Sequence, residues 1–226
     1  MQILIRCRTQ FLGVFVLLLA LPILAMAQEV ALTFDDLPAH GALPPGMTRV
    51  ELAKSIIATL KSANAPQVYG FFNAVRLEEV PQDRAVLEQW RAAGFLLGNH
   101  TYTHMSLTDN TVEAFEKDIA ANEPILRSLM GNEDWHWFRY PFLWEGETLE
   151  KRNAVRAYLK EHGYRVAQVS LDFGDYAWNA PYARCLEKND QKSIEWLKSS
   201  SWTPPSNTSS STGRCRRCCS GETSST

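Results

Sequence analysis

Short apolar runs alternate along this chain with longer stretches of helical period between Val30 and Leu197. The runs Val30–Phe34, Val68–Phe72, Phe95–Leu97, Trp135–Arg139 and Tyr164–Leu171 predict strands, being compact blocks of aliphatic, β-branched and aromatic residues bounded by turn formers. Leu52, Ile56 and Leu60 recur on one helical face behind a Thr48/Glu51 capping box. Asp83–Ala93 predicts a second helix, stopped by Gly94. Asn110 with Glu113 reads as another capping box, opening a helix through Leu129 that Gly131 terminates, with Pro124 a candidate kink inside it. Glu147–Glu161 predicts a further helix with Gly163 as its stop.

Strands alternating with helices imply parallel βαβ units, because a parallel neighbour needs a crossover connection. About five such units are countable, which places the chain in the α/β class. If the units wind into a barrel, residues at the C-terminal ends of the strands meet in one site. Asp35, Asp36, His100, His104, Arg139, Asp172 and Asp175 all follow predicted strands.

Both ends depart from this pattern. Arg6 and Arg8 precede an apolar run from Phe11 to Leu24, and Ala25-Met26-Ala27 supplies small residues, so 1–27 reads as a signal peptide cleaved before Gln28. Periplasmic or secreted localisation in a bacterium follows, without stable membrane insertion after cleavage. From Ser199 to Thr226, 15 of 28 residues are Ser or Thr, and Val, Ile, Leu and Phe are absent. No core element can be built from such a segment, which reads as a low-complexity tail or as out-of-frame translation. The folded domain is therefore expected over 28–198. Of five cysteines, Cys7 falls in the leader, Cys185 stands alone, and Cys215, Cys218 and Cys219 crowd into the tail. A formal net charge of −2 supplies no basic stripe, which argues against a nucleic-acid partner. A monomer is expected.

Three short signatures carry the chemistry: Thr33-Phe34-Asp35-Asp36, His100-Thr101-Tyr102-Thr103-His104 and Arg139-Tyr140-Pro141-Phe142. Alone, paired aspartates after a strand are ordinary caps or turns, and two histidines four apart can sit on a solvated face. That spacing also lets both share a cation from one helical turn, and two imidazoles with a carboxylate form a recognised catalytic metal set. A non-haem iron oxygenase uses the same set, but on a double-stranded β-helix that the alternating units here do not form.

In this order the three signatures resemble the family of carbohydrate esterases that includes chitin, chitooligosaccharide and peptidoglycan N-acetylglucosamine deacetylases, over roughly Val30 to Leu197. The resemblance implies a distorted (β/α) barrel and a hydrolase that removes N-acetyl groups from N-acetylglucosamine-containing polysaccharide or oligosaccharide. It implies that Asp36, His100 and His104 bind a divalent cation, most often zinc, while Asp35 is the general base and Arg139 keeps it ionised and aimed. The backbone N–H of Tyr140 would stabilise the oxyanion, and Asp175 would match the carboxylate that orients an acid histidine. Two departures stand out. The first motif continues Leu37-Pro38-Ala39-His40-Gly41 rather than Gly-Pro, and no histidine follows His162, where the family places its general acid. A catalytically impaired carbohydrate-binding remnant is thus the competing reading. His40 is a candidate substrate contact, and Trp135, Trp137 and Trp144 are either core aromatics or a sugar-stacking surface.

Overall fold

The computed structural model describes residues 30–41 and 43–201. The expected leader at 1–27 lies outside these residues, as does the tail beyond Ser201, and no helix among them is long and apolar enough to cross a membrane. Five strands form one parallel sheet: β1 (Thr33–Leu37), β2 (Tyr69–Phe72), β3 (Leu96–Asn99), β4 (Trp137–Phe138) and β5 (Arg165–Val166). The helices are α1 (Arg49–Ser62), α2 (Val75–Glu79), α3 (Arg84–Ala92), α4 (Val112–Met130), α5 (Leu149–Glu161), α6 (Tyr176–Glu187) and α7 (Gln191–Ser201).

The strands lie in chain order, β1-β2-β3-β4-β5, and every pair is parallel. Right-handed crossovers between sequential neighbours all fall on one face of such a sheet, which is the winding of a (β/α) barrel. Among the described residues the sheet runs open from β1 to β5. Leu87, Trp90, Phe72, Leu97 and Leu126 fill the largest core cluster, between the first strands and their helices. A second cluster joins Phe115 and Ile119 of α4 to Phe138, Val155 and Leu159. Gly98 is required by close approach: a Cβ there would stand 2.4 Å from the Phe71 ring and 2.9 Å from the Trp137 carbonyl.

Several boundaries differ from those expected, each for a local reason. The Thr48/Glu51 capping box forms, with Glu51 N–H donating to Thr48 Oγ1 at 3.2 Å and Thr48 N–H to Glu51 Oε2 at 2.9 Å. The cap of α4 is Thr111 rather than Asn110, because Thr111 Oγ1 accepts from Ala114 N while Asn110 Nδ2 turns back to the Ser106 carbonyl. Pro124 lies inside α4 without ending it. Thr148, not Glu147, opens α5. The last two strands hold only two residues each, β4 meeting β3 at Phe138 and β5 at Trp137 and Phe138, and Leu171 is 82% exposed. Cys185 is not a lone cysteine: it is buried and disulfide-bonded.

Candidate metal centre

Adjacent side chains of a regular strand point to opposite faces, so Asp35 and Asp36 should diverge. β1 is not regular there. Asp36 has φ 62°, and the register with β2 shifts between Phe34 and Leu37. Aspartate tolerates this left-handed conformation better than most residues, and the bulge re-aims the chain. As a result both aspartates serve the C-terminal end of the sheet, rather than following a strand that stops at Phe34. Asp35 meets Arg139, and Asp36 meets the two histidines.

His100 to His104 is not a helical turn, contrary to the expectation from its spacing. Thr101 and His104 both have positive φ, 63° and 60°, and the segment is irregular. Buried irregular backbone must find hydrogen-bond partners outside itself. Asn73, directly after β2, donates its Nδ2 to the carbonyls of His100 at 2.5 Å and Thr101 at 3.0 Å. Asn99 Oδ1 accepts from Thr101 N at 2.9 Å, and Asp118 of α4 accepts from Thr103 N at 3.0 Å. Asn122, also from α4, links Phe72 O, Ala74 N and Asn99 Oδ1 at 2.9 to 3.1 Å. Asn73, Asn99, Asn122 and Thr101 are all fully buried. Sequence reasoning missed this amide network, although Asn73 and Asn99 carry the same signal as the aspartates, a polar side chain where an apolar strand ends.

The loop so held brings His100 Nε2 to 3.4 Å and His104 Nε2 to 3.2 Å from Asp36 Oδ1, and the three ligand atoms lie within 4.8 Å of one another. Tetrahedral bonds of about 2.1 Å to one cation would separate ligand atoms by about 3.4 Å, so the spacing fits. Asp36 Oδ1 is buried without a hydrogen-bond partner, as a ligand oxygen awaiting a cation would be. His100 Nδ1 lies 2.8 Å from the Arg139 carbonyl, which can only accept. That contact fixes the proton on Nδ1 and leaves the Nε2 lone pair facing Asp36, the usual support behind a metal-binding histidine.

The electrostatics agree. Burial pushes the Asp36 carboxyl up, yet the rings of His100, His40 and His104 together hold it below its ordinary value. Burial pushes the His104 imidazole down to about 4, against the pull of Asp36, so the ring is neutral and free to ligate near pH 7. Beside this group, Arg139 Nη1 donates to both oxygens of Asp35 at 3.1 Å. Its Nε donates to Ala167 O at 2.6 Å, its Nη2 to Thr33 Oγ1 at 3.2 Å, and the guanidinium lies 4.6 Å over the Phe71 ring.

The remaining sequence candidates divide. Tyr140 turns its ring into the core against Phe115 and Phe138. Asp175 precedes α6, and burial followed by the charges of Asp172 and Asp36 pushes its carboxyl up, so it senses the metal group. Trp135 packs on His136 and Tyr164, and Trp137 on Tyr69. Trp144 is 52% exposed and meets Phe142, which in turn lies 4.5 Å from the His104 ring. His136 pairs with Asp134, and His162 stacks on Tyr158.

Comparison with known proteins bears on this geometry. The family described as Polysaccharide deacetylase matches residues 25–167. A peptidoglycan-N-acetylglucosamine deacetylase of Bacillus cereus is 29% identical over 161 residues, 71% of this chain and 50% of the relative. The chain therefore spans half the length of that curated relative. Among solved structures, a peptidoglycan N-acetylglucosamine deacetylase in complex with 4-naphthalen-1-yl-N-oxidanyl-benzamide has a TM-score of 0.50 at 25% identity, covering 66% of this chain and 60% of that one. A peptidoglycan deacetylase from Bacillus subtilis has a TM-score of 0.48 at 26% identity, covering 66% and 63%.

Proposed function

Because the chain belongs to the polysaccharide deacetylase family, we propose that it removes N-acetyl groups from N-acetylglucosamine units of a polysaccharide or oligosaccharide, with a divalent cation held by Asp36, His100 and His104. The observation that carries this reading is the convergence of those three ligand atoms within 4.8 Å of one another, next to the Asp35–Arg139 pair. Zinc is the expected cation, given two imidazoles and one carboxylate. Such a cation supplies Lewis acidity and makes water a usable nucleophile near neutral pH.

The protein's own residues divide the remaining work. Asp35 accepts a proton from the attacking water and returns it to the amine nitrogen as the C–N bond breaks, and Arg139 keeps that carboxylate ionised and aimed. The backbone N–H of Tyr140 donates to the oxyanion, as a preorganised donor does in acyl transfer. Asp175 is a carboxylate at the margin of the site; the acid histidine that its counterpart orients in the family does not follow His162 in this sequence. The exposed faces of Phe142 and Trp144 offer an apolar floor for a sugar ring. Residues 28–198 form the catalytic domain in this reading, with 1–27 directing export to the periplasm or beyond, 199–226 as an appended tail, and the protein acting as a monomer.

The test is acetate release from chitooligosaccharides and from peptidoglycan fragments by the full chain, with added zinc and with chelator. Release that depends on the cation and disappears in Asp36→Asn is expected. Equal rates with zinc and with chelator would sink the proposal.

A further inference from the structure

The sequence contains five histidines. His100 and His104 belong to the metal group, while His136 and His162 are engaged with Asp134 and Tyr158 away from it. His40 is left, and the chain folds it back onto the group. Ala39, with φ 112°, donates its N–H to the Asp36 carbonyl at 2.6 Å and so closes a tight turn directly after β1. Arg49 Nε of α1 donates to the Ala39 carbonyl at 2.8 Å and pins that turn. The His40 ring then meets the His104 ring edge-on, centroids 5.2 Å apart, within the field of the Asp36 carboxylate.

His40 Nε2 is buried and has no hydrogen-bond partner. Asn73 is the hydrogen-bonding side chain that acts on the His40 ring: its Nδ2 is committed to the His100 and Thr101 carbonyls, so Oδ1 is the atom left for the imidazole, although neither Oδ1 nor His40 Nε2 reaches full hydrogen-bond geometry. Buried polar atoms are rarely left unpaired unless a ligand, ion or water completes them. His40 is not among the three residues whose ligand atoms cluster, so it is placed to touch what enters the site rather than to hold the cation.

We propose that His40 is a further substrate-contacting residue, its imidazole N–H donating to the acyl oxygen of the N-acetyl group, or of the acetate product, beside Asp36, His100 and His104. This contact rests on the deacetylase reading of the site. It belongs to the Leu37-Pro38-Ala39-His40-Gly41 sequence of this chain, where the family motif continues with Gly-Pro after the paired aspartates.

Cobalt(II) uptake by the full chain, followed by acetate titration of its visible absorption, tests the contact in the wild type, His40→Ala, His40→Gln and His104→Ala. In His40→Ala, cobalt affinity stays within about twofold of wild type while the acetate dissociation constant rises about tenfold, the scale of one lost hydrogen bond to a charged group. His40→Gln, which keeps a donor, recovers part of that loss. Unchanged acetate binding in His40→Ala overturns the contact, as does a loss of cobalt affinity equal to that of His104→Ala, which would make His40 a ligand. A wild type that takes up cobalt but no acetate removes the contact and leaves the metal centre standing. A wild type that takes up no cobalt removes the deacetylase reading itself.

Discussion

Each of the three guanidinium nitrogens of Arg139 donates to a different part of the site: Nη1 to Asp35, Nη2 to Thr33 and Nε to the Ala167 carbonyl. Lysine preserves the charge but has neither the planar fork nor the reach to all three partners. Arg139→Lys is therefore expected to lower kcat for acetate release about 10- to 100-fold, in line with the effect of a misaimed catalytic group, with little change in cation affinity; steady-state kinetics and cation titration separate the two. His104 makes a second residue-scale prediction. Burial holds its folded-state pKa at about 4, below the unfolded value of 6.5. The unfolded chain thus binds more protons between those values, and this contribution to stability, present above pH 6.5, is lost as pH falls toward 4. Thermal melts of the cation-free protein should show a falling midpoint across that window, and His104→Ala should flatten the fall. The Asp35, Asp36, His100, His104 and Arg139 side chains could all be singled out from the sequence, because three short signatures in order carry them after predicted strands. Nothing in the sequence showed that His100 and His104 would be brought together by a loop with positive φ instead of a helical turn.

At the scale of elements, the structure depends on how β2, β3 and α4 share their polar atoms. Asn122 of α4 donates to the Phe72 carbonyl and to Asn99, and accepts from Ala74 N, so one side chain ties a helix to the ends of two strands. Asn122→Leu would deprive the Phe72 carbonyl and the Ala74 N–H of this partner, while Asn99 Oδ1 still accepts from Thr101 N, costing about 2–6 kcal/mol at about 1–3 kcal/mol per uncompensated group. Chemical denaturation should show a lower midpoint with an unchanged slope. Because Asn99 in turn supports Thr101, the same variant should also weaken cation binding. The positions of α1, α3, α4 and α5 were legible from periodicity and caps, since both are local, whereas α6 was not marked by either. The short helix α2 was not, because Val75–Glu79 has too few residues to show a period.

At the scale of the molecule, strand order and the proposed cation site are the two features that carry predictions. A ligand that binds only the folded state stabilises it by mass action, about 2.7 kcal/mol at 100 times its dissociation constant. Zinc should therefore raise the melting midpoint of the wild type at pH 7, and His104→Ala should abolish the rise; an equal rise in both would place the binding elsewhere. Hydrophobic and polar alternation was enough to predict the α/β class, since parallel pairing demands the crossovers that the helical stretches supply. Strand lengths at the open end were over-read: Tyr164–Leu171 has the composition of a strand, but β5 pairs only at Arg165 and Val166.

The sequence alone therefore determined the residue types at the site, their place after strands and the alternation of elements, because these depend on local periodicity and side-chain chemistry. Only the tertiary structure decided that a bulge at Asp36 directs two neighbouring aspartates to separate partners, that three buried asparagines hold the histidine loop, and that His40 folds back beside it. Those outcomes depend on which distant backbone groups must be satisfied once strands and helices pack, and no local pattern encodes them.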